Sequence, residues 1–396
     1  MYMINAIELC VKILRKIDVK IKTYFVLNII MKNIFHTQYN KKCLILYIIT
    51  PFLNQSDTHT NQQMAIEIAK TFQNKGYNVD VAQYNTKRKI NFHKYDLVFG
   101  FGEQFDKLLI NDLGKTNGYK PQTIAFLTGA SPYYSNVAEL NRLAYFKERN
   151  NATLMLRRQV HESAGLMNLE ALQKVTAAIC TGNLWTVNTW KYMVNNIYHI
   201  TPTGFDIVKL PDIDRNLEIA KKNFLWFSGA GMLHKGLDLC IEAFRGNADL
   251  NLYIAGTKDS DFYEFYEEDF KLENIHYCGF IDVKSVKYKE LCEKCLFCIF
   301  PSCSEGGGSS VLTTMFSGMI PVVTKEASVD IEEWGIEIEN IDVDYLDKLV
   351  KSISKMEDAD IRSREEKAYQ YAMNNHSIEK FHMDFNRILN SILCGN

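Results

Sequence analysis

The residues best suited to chemistry gather in one stretch, Cys292-Glu-Lys-Cys-Leu-Phe-Cys298-Ile-Phe-Pro-Ser-Cys303-Ser-Glu-Gly-Gly-Gly308. Two kinds of chemistry fit it. Cys292, Cys295 and Cys298 have the spacing of an iron–sulfur run, with Cys303 as a fourth ligand. The glycines beyond them suit a loop that brings backbone N–H groups close to an anion. The local pattern separates the two. "LFCIF" reads as a buried strand, in which side chains alternate between faces, so Cys298 does not share a face with the helical Cys292 and Cys295. A cluster loop is normally irregular, and small buried thiols are ordinary packing residues. The sequence therefore favours an anion-binding loop and no metal site.

That loop, "PSCSEGGGSSVLTTMFSG", follows a strand and opens a helix, where free amides and the helix dipole attract negative charge. It is neither G-x-x-x-x-G-K-[ST] nor G-x-G-x-x-G, which argues against a nucleoside triphosphatase or a dinucleotide enzyme. A second loop, "FSGAGMLHKGLD", turns at Gly229 and Gly231. It places Lys235 at a helix start, where a cation gains nothing from the dipole unless an anion is bound. Asp259-Ser-Asp261 resembles a cation-binding D-x-D. The chain repeats this spacing at Asp212/Asp214, Asp342/Asp344 and Asp358/Asp360, as chance would. On the other half of the chain, His59, Thr128, Gly129, Arg142, Arg157 and Arg158 sit in or near loops that follow strands.

The elements that must position these loops alternate. Short apolar runs at 43–49, 77–84, 95–102, 123–129 and 177–182 are separated by helical segments, as in β-α-β units with a parallel sheet. Strand-like runs at 224–229, 250–256, 275–280, 296–300 and 320–323 repeat the scheme, and the tail is helical by pattern. The expected fold is α/β, with two doubly wound, Rossmann-like domains. Ligands of such open sheets sit outside the carboxyl ends of the strands. The polar, proline-containing segment 200–223 marks the boundary. The expected domains are a helical segment over residues 1–41, an acceptor-side domain over 42–205 and a donor-side domain with C-terminal helices over 206–396.

Composition removes several function classes. The formal net charge of the 396-residue chain is −2, so no global field holds a nucleic acid. Its ten cysteines follow no secreted-domain spacing and point to the cytosol. Residues 5–22 form a basic amphipathic pattern that suggests peripheral contact of residues 1–30 with an inner membrane face; the alternatives are a helix packed on the domain and an upstream extension of a chain whose translation starts at Met31. The next apolar run is too short and interrupted to cross about 30 Å of hydrocarbon.

The stretches "FSGAGMLHKGLDLCIEAF", "IHYCGFI" and "IFPSCSEGGGSSVLTTMFSGMIPVV" resemble the donor half of family 4 glycosyltransferases (glycosyl transferases group 1), which have the GT-B fold. The match runs over about residues 222–325. "HTNQQMAIEIAKTFQNKGYNVDV" and "TGASPYYSN" extend it more loosely into the first half. The resemblance implies two facing domains and transfer of a sugar from a nucleoside diphosphate sugar to a glycan or lipid-linked acceptor. It also implies retention of configuration and no cofactor or obligatory metal. Lys235 takes the place of the lysine that neutralises the donor phosphates, and Glu305 that of the first glutamate of E-x7-E. Gly306, Gly307 and Gly308, followed by Ser309, match the pyrophosphate loop. The chain departs from the pattern at three places. The second glutamate is Thr313, the arginine five residues before Lys235 is Ala230, and the first-domain histidine is missing, leaving Ser131 or His59 as its counterpart. These departures keep a non-catalytic relative as the alternative.

Overall fold

The computed structural model describes residues 24–53, 59–110 and 120–394. The basic amphipathic stretch 5–22, on which the membrane reading rests, lies outside them. Among the described residues, no helix is long and apolar enough to cross a membrane. They divide into two units. One comprises 24–53, 65–110, 120–126 and 161–176; the other comprises 59–64, 127–160 and 177–394.

The strands of the first unit are β1 (Ile30–Met31), β2 (Lys41–Tyr47), β3 (Tyr77–Gln83), β4 (Leu97–Gly100) and β5 (Gln122–Leu127), which ends at the unit's limit. Their order is β1-β3-β2-β4-β5. All neighbours are parallel except β1, which runs antiparallel to β3. The core strands are continuous apolar runs, as a parallel sheet covered on both faces requires. Two glycines at the strand ends are obligatory. Gly100 (φ +128°) and Gly102 (φ +113°) lie so near the Leu46 and Tyr84 carbonyls that a Cβ would stand 2.0 and 1.8 Å from their oxygens.

In the second unit, β6 (Ala177–Thr181) pairs in parallel with β7 (Ile197–Ile200). A separate parallel sheet has the order β10-β9-β8-β11-β12-β13, where β8 is Asn223–Ser228, β9 Asn251–Gly256, β10 Ile275–Gly279, β11 Phe297–Phe300, β12 Ile320–Val323 and β13 Ile336–Glu337. The helices Leu237–Arg245, Val286–Lys294 and Ser309–Met315 alternate with these strands. Three helices, Val343–Ile353, Asp358–Asn375 and Ile378–Cys394, form the C-terminal part. The polar segment 200–223 is not loose. Leu210 donates its N–H to Phe316 O, and Arg215 donates to the carbonyls of Cys292 and Ser317 and pairs with Glu365. β7, between the last apolar run of the first half and the polar segment, had no buried run to reveal it: only Ile200 of its four residues is buried.

The cysteines belong to this framework. Cys292, Cys295 and Cys298 are buried in the helix Val286–Lys294, its end and β11, and Cys303 is buried in the loop beyond. Burial raises all four thiol pKa values, that of Cys298 to about 12 despite the opposing hydrogen bond with Thr314. Among the described residues, no three His, Cys, Asp or Glu side chains converge as a metal would require.

Candidate functional site

Within the second unit, the ends of β8 and β11 lie side by side, so the loops that follow them meet. Lys235, buried although it is a cation, donates from Nζ to Ser228 Oγ at 2.6 Å, and the same Nζ stands 4.0 Å from Glu305 Oε1. Glu305 accepts from Ser302 Oγ at 3.1 Å, and its backbone N–H donates to Glu326 O. Burial opposes the ionisation of Glu305, but Lys235, Arg158, His234 and the Ser302 hydroxyl together outweigh it and hold its pKa below the usual value. Glu305 is a carboxylate throughout the neutral range. Burial pulls the Lys235 pKa down, Arg158 pulls the same way, and Glu305 resists.

The glycine loop is held at closest approach. A Cβ on Gly306 would stand 2.4 Å from Thr128 O and 2.6 Å from Gly129 Cα. One on Gly307 (φ +115°) would meet Pro202 Cγ at 2.1 Å. Among the described residues, the amides of Gly306 through Ser310 have no hydrogen-bond acceptor in the chain. Five adjacent N–H groups in a partly exposed loop are donors in want of an anion or water.

His234 and His59 complete the group. His234 lies against this loop with Nε2 donating to Ser304 O at 2.7 Å, which leaves a buried Nδ1 with no hydrogen bond. Burial lowers its pKa, while Glu305 and the hydrogen bond to Ser304 oppose the shift. The His59 Nδ1 accepts from the Asn61 amide at 3.1 Å. Desolvation lowers its pKa, and the charges of Lys235 and Arg158 add to that effect while Glu305 opposes it. Thus His59, Lys235, Arg158, His234 and Glu305 share one electrostatic environment.

The remaining expected residues hold structural bonds. Ser131 caps the helix Pro132–Asn150, accepting from Tyr134 N at 3.4 Å, and is buried. Gly129 O accepts from Trp190 Nε1, and Thr128 is exposed at the contact with Gly306. Gly229 has open space around its Cα, whereas Gly231 (φ +93°) lies under the stem of Arg158. Thr313 is buried, and its hydroxyl donates to Ser309 O at 2.7 Å while accepting from Phe205 N at 3.1 Å. Arg142 is buried, donates to Pro301 O and lies 3.9 Å from Asp238.

Sequence reading missed two anchoring carboxylates. Asp259, half of the dismissed D-x-D, accepts from the amides of both Gly231 (3.0 Å) and Met232 (2.7 Å). Glu139 accepts from the amides of Arg157 and Arg158 and from Gln159 Nε2. No local signal marks either role, because acceptor and donors lie 18 to 28 residues apart. Asp259→Ala strands two buried N–H groups and is expected to destabilise the protein by about 2–4 kcal/mol. A thermal melt within about 1 °C of wild type would refute that role for Asp259.

Residues 210–366 match the family model described as glycosyl transferases group 1. Among the curated protein sequences none matches. Solved structures do. Sucrose-phosphate synthase from Thermosynechococcus elongatus is 11% identical over 90% of this chain and 100% of that one, with TM-score 0.62. WaaG, a glycosyltransferase involved in lipopolysaccharide biosynthesis, is 15% identical over 89% of this chain and 100% of that one, with TM-score 0.55. A TarM variant of S. aureus, in complex with fondaparinux, alpha-GlcNAc-glycerol and UDP, is 14% identical over 74% of this chain, with TM-score 0.51. This chain covers only about half of the TarM structure, 55%. At these identities the structures establish the fold. Residues 210–366 are similar to glycosyl transferases group 1, and the chain shares the GT-B fold of these structures.

Proposed function

We propose that the chain moves a sugar from a nucleoside diphosphate sugar to a glycan or lipid-linked acceptor, with retained anomeric configuration and no obligatory metal, in the assembly of a cell-surface polysaccharide. The observation that carries this reading is the buried Lys235–Glu305 pair set beside five unoccupied loop amides. As the bond between the anomeric carbon and the phosphate oxygen lengthens, charge grows on the departing diphosphate. Fixed donors already aimed at that charge stabilise it without reorganising. Glu305, ionised and anchored by Ser302, is placed to accept hydrogen bonds from sugar hydroxyls. UDP in the TarM complex and the lipopolysaccharide role in the description of WaaG support the donor and acceptor classes.

One observation favours a second reading, a non-catalytic nucleotide-sugar-binding relative. The Thr313 hydroxyl, at the position of the missing glutamate, is already committed to two backbone partners. A panel of nucleoside diphosphate sugars, scored by thermal shift and by release of nucleoside diphosphate, separates the two. The transferase reading expects stabilisation and release with the same donor. Stabilisation without release across the acceptors tried would favour the binding module, and a flat response to every donor would sink both.

A further inference from the structure

We propose that Arg158 is the principal free cation of the donor site and binds the diphosphate of the nucleoside diphosphate sugar. This rests on the transferase reading of the same site. The other charges near the loops are already matched. Lys235 Nζ is shared between Ser228 Oγ and the Glu305 carboxylate. Arg157 is paired with Asp261, and the Asp259 carboxylate is taken by two amides. Glu139 accepts from two amides and Gln159. Arg158 differs, because among the described residues its exposed guanidinium has no hydrogen-bond or ion-pair partner.

Its location is fixed from both ends. Its backbone N–H donates to Glu139 Oε1 at 2.9 Å. Its stem lies over Gly231 so closely that a Cβ there would stand 2.8 Å from Arg158 Cγ and 3.0 Å from Cδ. The positive-φ glycine is therefore what lets the arginine lie along this loop. The guanidinium charge acts on Lys235, Glu305, His59 and His234 together, in keeping with a stem that lies over Gly231. A planar group with five N–H donors suits two phosphates better than an ammonium does. The same loop has Ala230 where the resemblance calls for an arginine, and Arg158 brings a guanidinium to it from about seventy residues upstream.

The test measures binding of UDP, GDP and inorganic pyrophosphate by calorimetry, with pyrophosphate serving as the base-independent probe. Wild type is compared with Arg158→Gln, Arg158→Lys and, as a charge-matched control, Arg157→Gln, all checked for folding by thermal melt. The expected result is a loss of at least about tenfold in affinity for Arg158→Gln, equal to about 1.4 kcal/mol. Partial rescue in Arg158→Lys and near-wild-type binding in Arg157→Gln are expected alongside it. Equal losses in Arg158→Gln and Arg157→Gln would reduce the effect to net charge and overturn the assignment. Unchanged binding in Arg158→Gln would overturn it too, with the transferase reading intact. If wild type binds none of the three probes, the transferase reading itself falls, and the role of Arg158 falls with it.

Discussion

Glu305→Gln is expected to lower kcat about a hundredfold, within the range for loss of one preorganised polar group in a water-poor site. Glutamine keeps the size of glutamate and an oxygen for the Ser302 hydroxyl, but it removes the charge that faces Lys235. The substitution also has a pH signature. Burial and Arg158 depress the Lys235 pKa, and Glu305 is the largest influence opposing them. Without Glu305, Lys235 loses its proton at lower pH, so nucleotide binding in the variant should weaken at a lower pH than in wild type. The sign for Glu305 itself is the reverse. Its pKa is depressed below 4.5, so its stabilising contribution is complete above that value and is lost as pH falls through the lower, folded pKa. Measured kcat and pH profiles of nucleoside diphosphate binding check both points. Wild-type turnover in the variant would remove Glu305 from the chemistry, and coincident pH profiles would remove its coupling to Lys235.

Lys235→Ala is expected to do more damage, because it acts on stability and on binding together. It leaves Glu305, which is largely buried, without its nearest cation, and stranding one partner of a buried pair typically costs about 3–5 kcal/mol. It also removes a donor to the diphosphate, and nucleoside diphosphate affinity should drop by at least about tenfold. The double variant Lys235→Ala/Glu305→Gln separates the two effects. Removing the unpaired carboxylate should return much of the stability and none of the affinity. Recovery of both would mean that Lys235 serves only to neutralise Glu305. The Lys235 pKa shift also works against the fold below the folded pKa, since the unfolded lysine holds its proton more tightly. That penalty should ease as pH rises from the folded pKa towards 10.5.

The framework was legible because a parallel sheet writes itself as short buried apolar runs. Leu44, Phe99, Leu225 and Ile299 all lie in runs readable as strands, and all are buried. Short strands such as Ile30–Met31, Ile197–Ile200 and Ile336–Glu337 left no such trace. Lys235 was singled out because glycines mark its loop, and Glu305 by the resemblance of its stretch to the E-x7-E motif. Asp259, Glu139 and the placement of Arg158 were not visible, because each depends on chain segments that only folding brings together. The D-x-D spacing shows the limit of motif reading. Asp259 and Asp261 each have a defined duty, one holding the Gly231 loop and the other pairing with Arg157.

Glu139 works as an indexing pin. By gripping the amides of residues 157 and 158 with one oxygen, it fixes the position of the segment that carries two adjacent arginines. Arg157 is thereby sent to Asp261 and Arg158 to Gly231. A slip of one residue between the pin and the arginines would take both off these partners while leaving composition and net charge unchanged.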